Sequence, residues 1–253
     1  MALIEDSLYR KIKKQVGKAI GDFNLIEEGD RIAIGVSGGK DSYTLLHILE
    51  SLRRRAPVKY ELVAVNVDAG YPGYRTSVIE EHLREHGFTH RMETTNCYQI
   101  IEEKRRPGSS YCSFCARLRR GVLYSLAEEL GCNKIALGHH LDDFIETLLL
   151  NQFYVGTLAA MSPRLKADNG KHTVIRPLVY VEEQDIIAFT RQNRFPVVCC
   201  ACPVCGVVDQ KRKRMKKLVR ELSQENPQLR RSMIGAIANV HPRHLMDPRL
   251  GEF

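Results

Sequence analysis

The sequence predicts an α/β fold built on a doubly wound, mostly parallel sheet, with an N-terminal helix and a basic helical C-terminal extension. Two runs, "DRIAIGV" and "YELVAVNVD", are short, rich in β-branched residues and almost continuously apolar. Such runs are typical of strands that are buried on both faces of a parallel sheet. A helical segment follows each run, and this alternation continues from residue 31 to about residue 155. Alternating strands and helices predict right-handed crossovers and a doubly wound sheet.

The elements follow from local patterns. Residues 8–23 carry apolar side chains at helical spacing, with basic residues on the other face. The helices "DSYTLLHILESLRR" and "SVIEEHLREHG" follow the two strands, and the second ends on a glycine, as helices often do. Next come a third strand "THRMETT", a helix "ARLRRGVLYSLAEELG", a fourth strand "NKIALG" and a helix "LDDFIETLLLNQFY".

The pattern weakens beyond this point. "GTLAAMSPRLKADNGKH" reads as a loop, "TVIRPLVY" as a short strand and "VEEQDIIAFTRQN" as a helix. A cysteine-rich loop follows, and from Val207 the chain is helical and strongly basic. We therefore expect an N-terminal helical segment (1–30), a catalytic domain that includes the clustered cysteines (31–206) and a basic helical extension (207–253).

Composition narrows the class of protein. The chain has 253 residues, a net charge of +8 and a pI of about 9.1, an excess that favours a polyanionic partner. No apolar run approaches the roughly 18 residues of a membrane span, and the N-terminus lacks the pattern of a signal peptide. We expect a cytoplasmic protein with no membrane association.

A glycine-rich turn separates the first strand from its helix and has the layout of a phosphate-binding loop. The Walker spacing fails, because Ile34 stands where the first glycine belongs and Asp41 follows Lys40. The loop nevertheless has the features of an anion site. Its two glycines let an anion approach the backbone amides, and two hydroxyls and one ammonium add further hydrogen-bond donors. The N-terminus of a helix follows directly. The residues of the loop are Ser37, Gly38, Gly39, Lys40, Asp41 and Ser42. Asp41 is unusual beside phosphates unless it caps the helix or holds Mg²⁺.

Six of the eight cysteines cluster at 112–115 and 199–205, at metal-ligand spacing. The first pair, Cys112 and Cys115, precedes a helix that we expect to begin near Ala116, where amides and the helix dipole stabilise thiolates. The second pair is Cys202 and Cys205. Three interpretations stay open on spacing alone: reduced structural thiols, a closed zinc site with four thiolates, and an iron–sulfur cluster on three thiolates.

The six-residue loop resembles the PP-loop of the ATP pyrophosphatase families, which bind ATP and transfer AMP to a substrate oxygen. "GHHLDD", which contains Gly138, Asp142 and Asp143, resembles their second shared motif. The sequences that link these motifs, together with the runs "GKHTVIRPLVY" and "CPVCG", resemble the tRNA 2-thiocytidine synthetase family (TtcA). The resemblance extends over residues 10–245. This resemblance implies adenylation of the C2 oxygen of cytidine 32 in tRNA and its replacement by sulfur.

The same resemblance implies the cofactors and their ligands. A [4Fe-4S] cluster would be held by Cys112, Cys115 and Cys205, with Cys202 as the alternative third ligand; Cys199 and Cys200 have no assigned role. ATP, Mg²⁺ and the PP-loop would activate the base, and Gly138 and Asp142 would belong to the nucleotide site. The residues expected to take part in catalysis are Lys40, Asp41, Arg119 and Asp143.

The partners follow from charge and from the resemblance. We expect tRNA to present its anticodon loop as the substrate. We expect its backbone to contact Lys211, Arg212, Lys213 and Arg214, because Lys and Arg clusters bind phosphates. A cysteine desulfurase system is the expected sulfur donor, and a homodimer is left open. Rival interpretations are 2-thiouridine formation, a sulfur-free PP-loop tRNA ligase with structural zinc, and a zinc-stapled RNA-binding module without catalysis.

Overall fold

The structure is a computed structural model, and it describes residues 3–105, 111–167, 170–202 and 210–246. These residues contain a six-stranded sheet with the strand order β3-β2-β1-β4-β6-β5. All neighbouring strands are parallel except β5 and β6, which are antiparallel. The strands are β1 (Arg31–Gly35), β2 (Glu61–Asp68), β3 (His90–Thr94), β4 (Lys134–Ala136), β5 (Arg164–Lys166) and β6 (Thr173–Ile175). The predicted fold class is confirmed.

Nine α-helices are described among these residues. They are α1 (Ser7–Asp22), α2 (Lys40–Arg53), α3 (Thr76–Glu85), α4 (Cys97–Lys104), α5 (Tyr111–Glu129), α6 (Leu141–Leu150), α7 (Glu183–Gln192), α8 (Gln210–Glu225) and α9 (Leu229–Ala238). A π-helical turn (Asn151–Val155) continues α6, and a short 3₁₀ turn spans Pro242–His244. None of the described helices has both the length and the apolar character needed to cross a membrane.

The order of the strands determines where a ligand site can form. The chain runs from β1 outward through β2 to β3 and then returns to the other side of β1 as β4. The connections after β1 and β4 therefore diverge at the carboxyl edge of the sheet. A crevice at such a switch point is where open parallel sheets bind ligands. The glycine-rich loop follows β1, and Gly138 follows β4.

The central strands are buried as the apolar runs predicted. Ile32, Ala33 and Ile34 are fully buried in β1. On one face, Leu123, Leu126 and their neighbours in α5 pack against β1, β2 and β4. At the N-terminus, the carboxylate of Asp6 accepts a hydrogen bond of 2.9 Å from the amide of Tyr9 and so caps α1.

The chain divides into two compact units. The first contains Met1–His140 and Ser162–Asp209, and the second contains Leu141–Met161 and Gln210–Phe253. The second unit has an apolar core of its own, in which α6 packs against α8 through Leu141, Ile145, Leu149, Met215 and Val219. The division at residues 30 and 206 that we expected from the sequence stays a prediction.

Three local expectations were wrong or incomplete. Helix α5 begins at Tyr111, not near Ala116, so Cys112 and Cys115 lie in its first turn rather than before it. The buried Tyr111 ring begins the apolar face of the helix earlier than the charge pattern suggested. The predicted loop 156–172 contains β5, whose three residues are all exposed and carry no strand pattern. Helix α4 was not predicted.

Candidate active site

The glycine-rich loop has the backbone conformation that only glycine adopts readily. Gly38 has φ of +76°, in the left-handed region. A Cβ atom there would lie 2.7 Å from Cδ1 of Ile79 and 3.2 Å from Cβ of Val198. Gly39 is the N-cap of α2, and the Ser42 hydroxyl donates to its carbonyl oxygen over 2.9 Å. The amides of the first turn of α2 are thus directed at the crevice end of β1, as an anion site requires.

Lys40 is held by two carboxylates at the start of α2. Its ammonium lies 3.1 Å from Asp41 and 3.2 Å from Glu183 in α7. Burial acts to lower the pKa of Lys40, but the two carboxylates outweigh it and the pKa is raised. The ammonium therefore keeps its charge and has a fixed position, which suits a group that meets phosphate oxygens.

Gly138 brings the connection after β4 against the loop. A Cβ atom at this position would lie 3.1 Å from both the carbonyl carbon and the carbonyl oxygen of Asp41. The buried His140 places Nε2 3.7 Å from the Asp41 carboxylate. The structure thus brings together Asp41 and Gly138, which the sequence had placed in two separate motifs.

Tyr74 links the loop to the side of the site where Arg119 lies. Its hydroxyl donates to the carbonyl oxygen of Ser37 over 3.0 Å and accepts from the Asn66 amide, also over 3.0 Å. Burial raises the pKa of Tyr74, while the Asn66 amide and the positive charge of Arg119 act to lower it. Arg119, on α5, is thus within electrostatic range of a residue that contacts the PP-loop.

The first cysteine pair lies in the first turn of α5. Cys112 is exposed and Cys115 is half-buried, and their spacing of three residues puts both on one face of the helix. The first amides of a helix have no partner within the helix, so they and the dipole favour thiolates. The Tyr71 hydroxyl also donates a hydrogen bond to the sulfur of Cys115 over 3.4 Å. The pKa of Tyr71 is raised mainly by burial and, to a smaller extent, by this contact.

The second cysteine segment packs against the same apolar cluster as the first. That cluster is formed by Ala69, Tyr71, Cys97, Ile101 and Tyr111, and both Cys115 and Cys202 pack against it. Cys200 lies 3.4 Å from Cys202 between the sulfur atoms. Cys205 lies outside the described residues. The fold therefore brings together thiols that are nearly ninety residues apart in the sequence.

The segment that carries the second cysteines is also hydrogen-bonded to the PP-loop. The amide of Val198 donates to the carbonyl oxygen of Gly38 over 2.9 Å. The thiols of Cys112 and Cys115 on α5 and the thiol of Cys202 on this segment have the chemistry that an iron–sulfur cluster with three protein ligands requires. A hydroxyl donor to one of the sulfurs is the kind of outer contact that adjusts such a site.

The remaining predicted residues lie in the second unit. Asp142 pairs with Arg230 over 2.8 Å, and Asp143 lies 3.6 Å from Arg212. Arg212 also lies 3.4 Å from the buried Glu146. Arg212 is thus half-buried against α6. The other three basic residues of the predicted RNA contact, Lys211, Lys213 and Arg214, are exposed on α8.

Several residues of the site were not predicted from the sequence. Glu183, Tyr71, Tyr74 and Val198 all reach it from other elements, and none belongs to the motifs that the sequence displays. Glu183 follows the predicted strand "TVIRPLVY", and the only available signal was that residues after parallel strands meet at one edge. Tyrosines near a phosphate loop have no spacing rule that could have identified them.

Known proteins share both the fold and the sequence. The family model described as a PP-loop domain matches residues 7–198. The tRNA-cytidine(32) 2-sulfurtransferase of Geobacter metallireducens is 70% identical over 99% of this chain and 97% of its own. The enzyme of the same name from Syntrophotalea carbinolica is 70% identical over 100% of this chain and 98% of its own.

A solved structure of another protein has the same fold as this chain. The U34-tRNA thiolase NcsA from Methanococcus maripaludis, determined with its [4Fe-4S] cluster, has a TM-score of 0.73. It is 21% identical and covers 93% of this chain and 80% of its own. The resemblance seen in the sequence motifs is confirmed: the chain belongs to the tRNA-cytidine(32) 2-sulfurtransferase family of PP-loop proteins.

Proposed function

We propose that this chain is an ATP-dependent tRNA thiolase that converts cytidine 32 to 2-thiocytidine. The observation that carries the proposal is the hydrogen bond from Val198 to Gly38, because it fixes the second cysteine segment to the PP-loop. An ATP site and a thiol site that share one sheet edge suit a reaction that activates an oxygen and then replaces it with sulfur. The shared name of the curated relatives supports cytidine 32 as the substrate.

The first step is activation of the base. The C2 oxygen of cytidine attacks the α-phosphorus of ATP, the bond to the β-phosphate oxygen breaks, and pyrophosphate leaves. The PP-loop amides and the Lys40 ammonium are placed to meet the charge on the departing phosphates. Glu183 and Asp41 hold that ammonium in position. Asp41 is the PP-loop carboxylate that we expect to provide a Mg²⁺ ligand. Asp142 and Asp143, in the second unit, stay predicted either to hold Mg²⁺ or to orient the base.

The second step replaces the activated oxygen. Sulfide attacks C2, the C2–O bond breaks, and AMP leaves with the former carbonyl oxygen. A [4Fe-4S] cluster on Cys112, Cys115 and either Cys205 or Cys202 would supply the sulfur at this position. Tyr71 would orient Cys115 through its hydroxyl. Arg119, which acts electrostatically on Tyr74 beside the PP-loop, would stabilise the negative charge that develops in this step.

The tRNA must present one base to this site while its backbone is held elsewhere. Enzymes that modify bases take the target nucleotide out of the stack, and phosphate contacts set its register. Lys211, Lys213 and Arg214 on α8 are exposed and suit such contacts. Arg212 stays a predicted contact, and its pairing with Glu146 gives it a positioning role within the second unit. A cysteine desulfurase system as donor, a cytoplasmic setting and a homodimer complete the proposal.

The reaction products distinguish this function from its rivals. Protein purified without oxygen is incubated with tRNA, ATP and sulfide, and the digested nucleosides and nucleotides are analysed by mass spectrometry. The proposal requires 2-thiocytidine together with AMP and pyrophosphate. A thiolated uridine would show that the substrate is uridine and not cytidine. AMP without any thionucleoside would indicate a ligase, and unchanged ATP with bound tRNA would indicate a binding module.

A further inference from the structure

Three histidines converge outside the site described above, between helices α2 and α3. His47 lies on α2, His82 lies on α3, and His86 follows one turn later as the C-cap of α3. One ring nitrogen from each lies within 4.8 Å of the other two. We propose that His47, His82 and His86 form a site for a divalent transition-metal ion, with Zn²⁺ as the best match. This site is separate from the proposed thiolation chemistry and does not depend on it.

The geometry of the nitrogens is close to what a tetrahedral ion requires. Residues four apart on a helix lie on the same face, so His82 and His86 both face His47. Nε2 of His47 lies 2.9 Å from Nε2 of His82, and the two share a hydrogen bond whose proton an ion would displace. With Zn–N bonds of about 2.0–2.1 Å, two ligands of a tetrahedral site are roughly 3.3 Å apart. The pair needs to separate by only a few tenths of an ångström to admit the ion.

The hydrogen bond made by His86 prepares it as a ligand. Its Nδ1 lies 2.9 Å from the carbonyl oxygen of His82, and the carbonyl can only accept, so Nδ1 carries the proton. The lone pair is then on Nε2. Metal-binding histidines commonly donate their other nitrogen to a backbone carbonyl, which fixes both the tautomer and the ring orientation.

Burial keeps two of the rings in the form that binds a metal. His47 and His82 are 4% and 7% exposed. Burial is the main cause that lowers the pKa of His47 to about 3 and that of His82 to about 4. Both imidazoles are therefore neutral at physiological pH, and metal ions bind neutral imidazole.

Aromatic packing around the cluster is consistent with the proposal. Phe195 stacks on His47 with ring centroids 4.7 Å apart, and the Tyr43 ring meets His82 edge-on at 4.7 Å. These rings fix the imidazoles in place but offer no acceptor to their nitrogens. Packing alone does not require three imidazole nitrogens to converge, whereas a metal site does. Imidazole ligation favours Zn²⁺ among the divalent ions common in proteins.

Two cavities give the cluster access to solvent. One, of about 350 Å³, is lined by His82, His86 and the carboxylates of Glu81 and Glu85. The other, of about 430 Å³, is lined by His47, His86 and Glu50. A water molecule that enters through either cavity can supply the fourth ligand. A bound ion would join α2, which begins in the PP-loop, to α3 and so brace the loop.

The test measures Zn²⁺ bound to the full-length protein with its iron–sulfur site loaded. His86→Gln is the main variant, because His86 is half-buried and glutamine keeps a similar size. His90→Gln is the matched control, because His90 is half-buried like His86, lies outside the cluster, and bonds through Nδ1 to the carbonyl oxygen of Phe88.

Wild-type protein and His90→Gln should each bind one Zn²⁺ that raises the melting temperature, and His86→Gln should lose both effects. X-ray absorption of the zinc-loaded wild type should show nitrogen and oxygen neighbours without sulfur. Unchanged zinc binding in His86→Gln, or sulfur ligands in the wild type, would overturn the proposal. If His86→Gln folds poorly without metal, the absorption spectrum of the wild type decides the question.

Discussion

The amide of Val198 and the carbonyl oxygen of Gly38 are hydrogen-bonded over 2.9 Å. This bond ties the start of the segment that carries Cys199, Cys200 and Cys202 to the middle of the PP-loop. It also explains part of the need for glycine at position 38, because a Cβ atom there would press on the Val198 side chain. A movement of either segment is therefore transmitted to the other, and the two halves of the proposed reaction are built on one scaffold.

Replacing Lys40 should remove catalysis and leave the fold intact. Lys40→Ala deletes the ammonium that we place at the departing phosphates, so kcat should fall by about 10²–10³-fold, the usual effect of losing one such donor. The free energy of unfolding should change by less than about 1 kcal/mol, because the side chain is partly exposed and its ion pairs are weak. Release of AMP and chemical denaturation measure the two quantities. Lys59→Ala, at an exposed site, is the control. A Lys40→Ala enzyme that keeps its turnover would remove Lys40 from the mechanism.

The pH dependence of ATP binding should report the pairing of Lys40 with Glu183. The two carboxylates raise the pKa of Lys40 above 10.5, so the wild-type ammonium stays charged into the alkaline range. Glu183→Gln removes one of these charges and lowers that pKa. Affinity for ATP should therefore begin to fall at a lower pH in the variant than in the wild type. Calorimetry without RNA measures this, and superimposable pH profiles would show that Glu183 does not act on Lys40.

A methyl group at position 38 should damage the loop. Gly38→Ala forces an L residue into the left-handed region, which costs about 1–3 kcal/mol, and presses on Ile79. We expect a lower free energy of unfolding and weaker ATP binding. Gly121→Ala is a matched control, because Gly121 lies in α5 with nothing within 4 Å of its Cβ position. There alanine should stabilise the helix by about 0.5–1 kcal/mol. Equal effects at both positions would contradict our account of Gly38.

Neutralising three exposed charges on α8 should weaken tRNA binding. The triple variant Lys211→Ala, Lys213→Ala, Arg214→Ala omits Arg212 because its pairing with Glu146 would mix a stability effect into the result. If all three residues contact phosphates, the slope of log affinity against log salt should become shallower by roughly 2. The control removes the same charge through the exposed residues Lys14, Arg55 and Lys59. An equal loss in the control would mean that only net charge matters.

The sequence predicted the sheet well because the central strands are buried on both faces. Ile32 and Ala33 point to opposite faces of β1 and both are fully buried, so their run had to be apolar. β5 was missed for the opposite reason, since Arg164 and Lys166 are exposed at an edge and carry no apolar signal. The hydrophobic pattern of a sequence reflects burial. An exposed edge strand of three residues therefore shows almost no such pattern.

The candidate site was predictable only where a motif is continuous in sequence. Lys40 and Asp41 belong to such a motif, and the structure brings Gly138 against them as the order of the strands requires. Glu183 and Tyr74 reach the site from distant segments through tertiary packing, which no spacing rule encodes. The histidine cluster shows the same limit, because His47 and His82 meet only after α2 and α3 have packed.

The central claim is that the clustered thiols and the PP-loop serve one thiolation reaction on tRNA. It is tested most directly by nucleoside analysis of tRNA from a strain in which the gene is replaced by Cys112→Ala, Cys115→Ala or Lys40→Ala. Cys132→Ala, a change at a buried cysteine outside the site, is the control. We predict that 2-thiocytidine disappears from tRNA in the first three strains and persists in the control. Persistence of 2-thiocytidine in the Cys112→Ala and Lys40→Ala strains, with the variant proteins as the only copies, would contradict the account.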